Sequence, residues 1–259
     1  AKIFVSDLFK GMLLALVIGT PLIWVVLWLM EKAGEQWWLY TWVVWTAFSL
    51  FIAWAYPTWI APIFNKFTPL EEGDTLNRIN NLLKRCGFNS NGIFVIDGSR
   101  RSSHGNAYFS GFGKNKRIVF FDTLLKSLDD DELEAVLAHE LGHFRLKHIQ
   151  KRTFSMAALS LAGLGLLAWL MEQSWFYHGL GVAQPSTYLG LMLFLLAAPA
   201  FSLFLQPIMS ALSRKHEFEA DAYAANQSSA TELIHALVKL YKENANTLTP
   251  DPLYSAFHD

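Results

Sequence analysis

The sequence predicts a mainly α-helical, polytopic membrane protein. Four transmembrane helices are joined to an α+β region outside the bilayer that holds a small β-hairpin or sheet. Three observations carry this expectation. The 259 residues have a mean hydropathy of only +0.24, yet their apolar side chains are gathered into four long windows without Asp, Glu, Lys or Arg. Trp and Tyr cluster at the ends of those windows, and the segments between them are polar with shorter periodic patterns. The same composition excludes other classes. Low hydrophobicity with high net charge, the mark of disorder, is absent at 53% apolar residues and a net charge of -1. The 21 basic residues meet 22 acidic ones, so no nucleic-acid partner is expected. The single cysteine, Cys86, rules out a disulfide framework.

The first window runs from Gly11 to Met30, the second from Gln36 to Asn65, the third from Thr153 to Met171, and the fourth from Ser174 to Ser213. About 20 helical residues cross a hydrocarbon core of roughly 30 Å, so each window accommodates a span. Gly179, Gly181, Pro185 and Ser186 interrupt the fourth, which predicts one helix starting near Tyr188. A single window would equally suit a buried core helix. Four windows flanked by Trp37, Trp38, Tyr40, Trp54, Tyr56, Trp59, Trp169, Trp175 and Tyr177 fit aromatic belts at headgroup level instead. The chain then divides into spans at 1–65 and 153–213 and polar segments at 66–152 and 214–259.

Lys and Arg set the expected orientation. The short loops Glu31 to Glu35 and Glu172 to Ser186 hold only Lys32, while Lys2, Lys10, Lys66, Arg145, Lys147, Lys151, Arg152, Arg214 and Lys215 fall on the other side. The positive-inside rule makes that side cytoplasmic, together with both polar segments. Membranes of this kind include the endoplasmic reticulum and the bacterial inner membrane.

Within the first polar segment, Thr75 to Cys86 carries Leu76, Ile79, Leu82 and Leu83 at helical spacing, and Gly92 to Asp97 reads as a strand. Asn106 to Ser110 and Arg117 to Phe121 flank a Gly-rich connection, which suggests a hairpin. A helix follows, with Ser127 as N-cap, Asp130 in an acidic capping box, and Arg145, Lys147 and Lys151 toward its far end.

That helix contains His139-Glu140-Leu141-Gly142-His143. Residues four apart share a helical face, so both imidazoles reach one ion, and Glu140 lies beside an open coordination position as general base. This gives the extramembrane region a zincin-like catalytic character with one zinc ion per chain. A third ligand must come from another element. Glu217 and Asp221, four apart after the fourth window, are candidates: Glu217 as ligand and Asp221 as a carboxylate bonding a ligating imidazole. Taken alone, E-x-x-x-D is more often a solvated acidic face.

Together these motifs resemble the CAAX prenyl proteases, integral-membrane zinc metallopeptidases. The likeness rests on His139 to His143 and on Arg214-Lys215-His216-Glu217-Phe218-Glu219-Ala220-Asp221-Ala222. It extends to Asn106 to Phe112, Lys116 to Leu124, and Leu253 to His258. The resemblance implies that His139, His143 and Glu217 bind zinc, that Glu140 is the catalytic acid/base, and that Asp221 supports the ligands. It implies that the strand at Asn106 and Ala107 is an edge on which a substrate peptide lies. The implied reaction is release of the C-terminal tripeptide from a prenylated C-a-a-X protein at the lipid surface. Family members have seven spans, so the four here read as the core of a longer chain that extends before Ala1 and beyond Asp259.

Two other readings stand beside it. HtpX-like quality-control metalloproteases, which degrade misfolded proteins, share the zinc motifs but match less well around Asn106, Arg117 and the C-terminal end. A zinc-stabilised membrane scaffold without turnover would need four protein ligands and no general base, which Glu140 argues against. Among the remaining residues, His148 reads as solvated or interfacial, and His216 points about 100° away from Glu217. Arg100, Arg101 and His104 read as a solvated loop and Cys86 as a buried thiol, while Ala158 and Ala162 form a small-x-x-x-small pair that suits close helix packing but is a common spacing in spanning helices.

Overall fold

The structure is a computed structural model and describes residues 2–102, 104–110, 116–243 and 251–257. Four helices are long and apolar enough to cross a membrane: Lys2–Lys32, Gly34–Phe64, His148–Met171 and Thr187–Gln227, the first to fourth spans. In each, at most 17% of the apolar window is buried among the described residues. The fourth is a continuous helix of 41 residues that starts at Thr187, beside the expected Tyr188. Its polar end carries Glu217 and Asp221, so these residues continue the span rather than form a separate element.

Contacts group the chain into two units, Ala1–Ile52 with Arg152–Phe204 and Ala53–Lys151 with Leu205–Asp259. In the first unit, Met30, Trp37 and Leu167 form a buried cluster, packed by Trp38, Leu164 and Ala168. The Trp42 indole N–H donates to the Ala157 carbonyl at 2.8 Å. Gly190 allows a close approach, because a Cβ there would lie 2.8 Å from the Tyr177 hydroxyl and 2.9 Å from Met171. Ala158 and Ala162 are exposed, so the packed face of the third span runs through Leu164, Leu167 and Ala168 instead.

The second unit holds a four-stranded sheet of order β1-β2-β4-β3. Its strands are β1 (Phe67–Pro69), β2 (Ile93–Ile96), β3 (Ala107–Ser110) and β4 (Arg117–Phe121). β1 and β3 pair antiparallel to their neighbours, and β2 runs parallel to β4. β3 lies at an edge, with Ala107 opposite Phe120 and Ser110 opposite Arg117. The expected hairpin corresponds to β3 and β4, while its connection at 111–115 lies outside the described residues.

Helices Asp74–Arg85, Asp130–Arg145 and Ala230–Glu243 join the sheet around one core. Ile79, Leu82, Ile118, Phe120, Leu124, Leu137 and Leu141 are almost wholly enclosed there. Each such side chain contributes about 1.5–3 kcal/mol, more than helix propensity alone provides. Cys86, at the C-cap of the first of these helices, is half-buried rather than enclosed, with its thiol 3.7 Å from Gln227 Oε1. The loop at Arg100 and Arg101 is tethered rather than free. Arg101 donates to the Phe64 carbonyl and, at 3.3 Å, to Asn65 Oδ1, closing the end of the second span.

The helix Asp130–Arg145, here the motif helix, begins differently from expectation. Ser127 ends a separate short helix, Asp122–Ser127, and Leu128 is extended. Asp129 is the N-cap: its carboxylate accepts the N–H groups of Asp131 and Glu132, and Glu132 accepts the Asp129 N–H at 3.0 Å. The longer Glu side chain closes this capping box where Asp130 would have served Ser127. Glu132 is 2% exposed and paired with Lys239 at 2.6 Å, which compensates its burial. The far end also differs. The helix stops at Arg145, Lys147 takes a left-handed φ of 61°, and the third span starts at His148, leaving Lys147 and Lys151 outside the motif helix.

Asp129→Ala is therefore expected to destabilise the second unit by about 1 kcal/mol, whereas Ser127→Ala leaves it nearly unchanged. Thermal unfolding of the two variants in detergent checks this, and equal losses would contradict the assignment of the cap.

Candidate metal centre

His139 and His143 stand on one face of the motif helix, as four-residue spacing requires. What lies opposite depends on how closely the fourth span approaches. A Cβ at Gly142 would lie 3.0 Å from Ala220 Cα, 3.1 Å from the Ala220 carbonyl oxygen and 3.2 Å from Tyr223 Cβ. Ala220 is fully buried. The two backbones thus meet at a Gly–Ala contact, and Glu217 and Asp221 flank it on the fourth span.

Three donor atoms converge as a result. His139 Nε2 and His143 Nε2 are 3.1 Å apart, and Glu217 Oε2 lies 3.3 Å from the first and 3.5 Å from the second. A tetrahedral ion with bonds of about 2.0–2.1 Å has donor–donor edges of about 3.3–3.4 Å. Two imidazole nitrogens and one carboxylate oxygen at these separations therefore fit a zinc ion in both donor chemistry and size. His139 Nδ1 donates to Asp221 Oδ1 at 2.8 Å, which fixes the ring and leaves Nε2 toward the other donors.

A second group of carboxylates, Asp129, Glu132 and Glu232, also lies close together. Here Glu132 is engaged by Lys239 and the capping box, so the group is accounted for by helix capping and charge pairing.

The electrostatics of the first group suit acid/base work. Burial pushes the Glu140 carboxyl above the usual carboxylate range, with Glu217 adding to the rise while both imidazoles oppose it. For His139, burial disfavours the imidazolium. Hydrogen bonds to Asp221 and Glu217 outweigh that cost and raise its pKa to about 9.

The structure thus brings together His139, His143, Glu217 and Asp221, with Glu140 adjacent on the motif helix. Asn106 and Ala107 stand at the start of the β3 edge. The Asn106 carbonyl accepts the Phe121 N–H at 2.9 Å, and the Ala107 side chain is buried in the core. β3 packs against the motif helix, with Phe109 6.5 Å from Phe144.

Two residues lie at the site that sequence reasoning set aside. His148 is 4% exposed rather than solvated, with Nδ1 3.0 Å from His143 Nδ1 and Nε2 2.9 Å from Glu219 Oε2. His216 stacks on it, with ring centroids 4.2 Å apart and planes at 15°. The signal for His148 was its place five residues after His143, readable only with a chain reversal at Lys147.

Comparison with known proteins extends this picture. The family model for peptidase family M48 matches residues 69–257, and the model described as CAAX prenyl protease N-terminal, five membrane helices, matches residues 1–66. The CAAX prenyl protease 1 homolog of Arabidopsis thaliana is 37% identical over 256 residues, covering 98% of this chain and 60% of that protein. CAAX prenyl protease 1 of Saccharomyces cerevisiae is 36% identical over 273 residues, with 99% and 60% covered. The crystal structure of S. mikatae Ste24p aligns with a TM-score of 0.91 at 38% identity, covering 99% of this chain and 63% of that one. The chain thus spans about 60% of the length of these curated relatives.

A raised His139 pKa has a measurable consequence. At pH 7 the metal-free protein holds a proton on His139 that an ion must displace, so zinc binding is expected to release about one proton from this residue. Apparent affinity then rises about tenfold per pH unit and levels near pH 9. Calorimetry at pH 7 in buffers of different ionisation enthalpy checks this, and binding without proton release would contradict it.

Proposed function

The chain belongs to peptidase family M48, and from that premise we propose that it carries the catalytic centre of a membrane-embedded zinc endopeptidase. Its substrate in this reading is a prenylated C-a-a-X protein, from which it releases the C-terminal tripeptide. The observation that carries the proposal is the triangle of His139, His143 and Glu217 donors beside Glu140, in a chain similar to CAAX prenyl proteases over nearly its whole length.

In this reading His139, His143 and Glu217 hold the ion. A bound zinc ion supplies Lewis acidity toward water and toward a peptide carbonyl. Asp221 keeps the His139 ring in the tautomer that presents Nε2. Glu140 takes a proton from the attacking water as the new C–O bond forms. It then delivers that proton to the departing amine nitrogen as the C–N bond breaks. A carboxyl whose affinity for a proton is raised by burial suits both halves of this exchange.

The edge of β3, beginning at Asn106 and Ala107, offers backbone groups on which an extended substrate can lie as an added strand. The lipid chain of a prenylated substrate concentrates it at the bilayer, where the four spans hold the enzyme. The Lys and Arg distribution supports a cytoplasmic position for the centre in this reading.

Glu140→Gln in the full protein is expected to lower cleavage of a prenylated C-a-a-X peptide by about 10²–10⁴-fold while zinc content stays at one per chain. Undiminished cleavage would remove Glu140 from the mechanism. Equal cleavage of an unstructured protein and the prenyl peptide by the wild type would favour a quality-control role instead.

A further inference from the structure

We infer that His148 is a positioning residue of the metal centre, holding His143 through Nδ1 in a tautomer that Glu219 sets from one side chain further out. The inference rests on the metal-site reading above and adds to it a second, differently built support. His148 is among the few buried polar side chains of the described residues, and a buried imidazole needs partners at both nitrogens.

Proton bookkeeping fixes what those partners do. His148 Nε2 faces a carboxylate oxygen of Glu219 at 2.9 Å, and a carboxylate only accepts, so Nε2 carries the hydrogen. The neutral ring then has a bare Nδ1, 3.0 Å from His143 Nδ1. Two facing nitrogens share one hydrogen, so it belongs to His143, whose Nε2 is left with the lone pair. That is the nitrogen 3.1 Å from His139 Nε2 and 3.5 Å from Glu217 Oε2.

The backbone is shaped for this contact. Lys147 adopts a φ of 61°, a left-handed conformation that non-glycine residues rarely take. The turn brings His148 back beneath His143, and His216 stacks on the ring to fix its plane. Glu219 is held in turn by Lys151 at 3.8 Å and Lys215 at 3.9 Å.

The two imidazoles of the centre are therefore supported unequally. His139 meets a carboxylate directly, whereas His143 meets one through an uncharged ring. Glu140, Glu217 and Asp221 already place three carboxylates at the site, and an imidazole intermediary directs His143 without adding a fourth beside it.

The test is zinc affinity by competition with a chromophoric chelator, with the visible spectrum of the cobalt-loaded protein, on the whole chain in detergent. His148→Leu fills the volume without an acceptor and is expected to weaken zinc binding by about 10–100-fold and alter the cobalt bands. His148→Asn, whose Oδ1 takes the place of Nδ1, is expected to restore both to near the wild type. Should His148→Leu not fold, Glu219→Leu, at a half-exposed position, tests the same relay and is expected to shift the cobalt bands as well. Wild-type affinity and bands in His148→Leu or, where that variant does not fold, in Glu219→Leu would overturn the inference. So would a His148→Asn as impaired as His148→Leu. A wild-type chain that binds no zinc would instead overturn the metal-site reading, and this inference with it.

Discussion

The centre depends on one close contact between backbones, where Gly142 of the motif helix meets Ala220 of the fourth span. These residues lie far apart in sequence, and no local pattern joins them. Any side chain larger than hydrogen at position 142 meets backbone atoms at about 3 Å, so the separation of the two helices is set by that glycine. Interaxial distance in turn decides whether Glu217 reaches the two imidazoles. The glycine inside the H-E-x-x-H motif is thus as much a part of the centre as its histidines, although it donates nothing.

Around this contact the protein balances charge locally. Asp129 and Glu132 cap the N-terminus of the motif helix, and Lys239 compensates the enclosed Glu132. Asp221 and Glu219 support the two histidines, one directly and one through His148. Over the whole chain 21 Lys and Arg stand against 22 Asp and Glu, for a net charge of -1. The chain belongs to peptidase family M48, and in the function proposed above an open metal position stands beside a carboxyl whose proton affinity is raised by burial.

Much of this was legible in the residues. The four spans show as charge-free windows because lipid tolerates few charges, and His139 and His143 show as a pair because helical periodicity is local. Glu217 and Asp221 were legible as a pair on one face, but their meeting with the histidines depends on tertiary packing. Ser127 misled because two capping patterns overlap in one acidic run, and side-chain reach decided for Asp129. From the sequence His148 reads as solvated or interfacial, on a helix expected to run on toward Lys151, whereas the motif helix ends at Arg145. A left-handed lysine, which no propensity marks, turns the chain there. Ala158 and Ala162 carry a spacing common in spanning helices, and both stand exposed, away from the packed residues Leu164, Leu167 and Ala168.

The central claim is that two histidines of the motif helix and one glutamate of the fourth span bind a single zinc ion. X-ray absorption at the zinc edge, comparing the zinc-loaded chain with its Glu217→Ala variant, tests it most directly. The expected result is nitrogen and oxygen neighbours at about 2.0–2.1 Å including two imidazoles, no sulfur, and a clear loss of bound zinc or of one oxygen neighbour in the variant. A spectrum with sulfur neighbours, or one unchanged by Glu217→Ala, would contradict the claim.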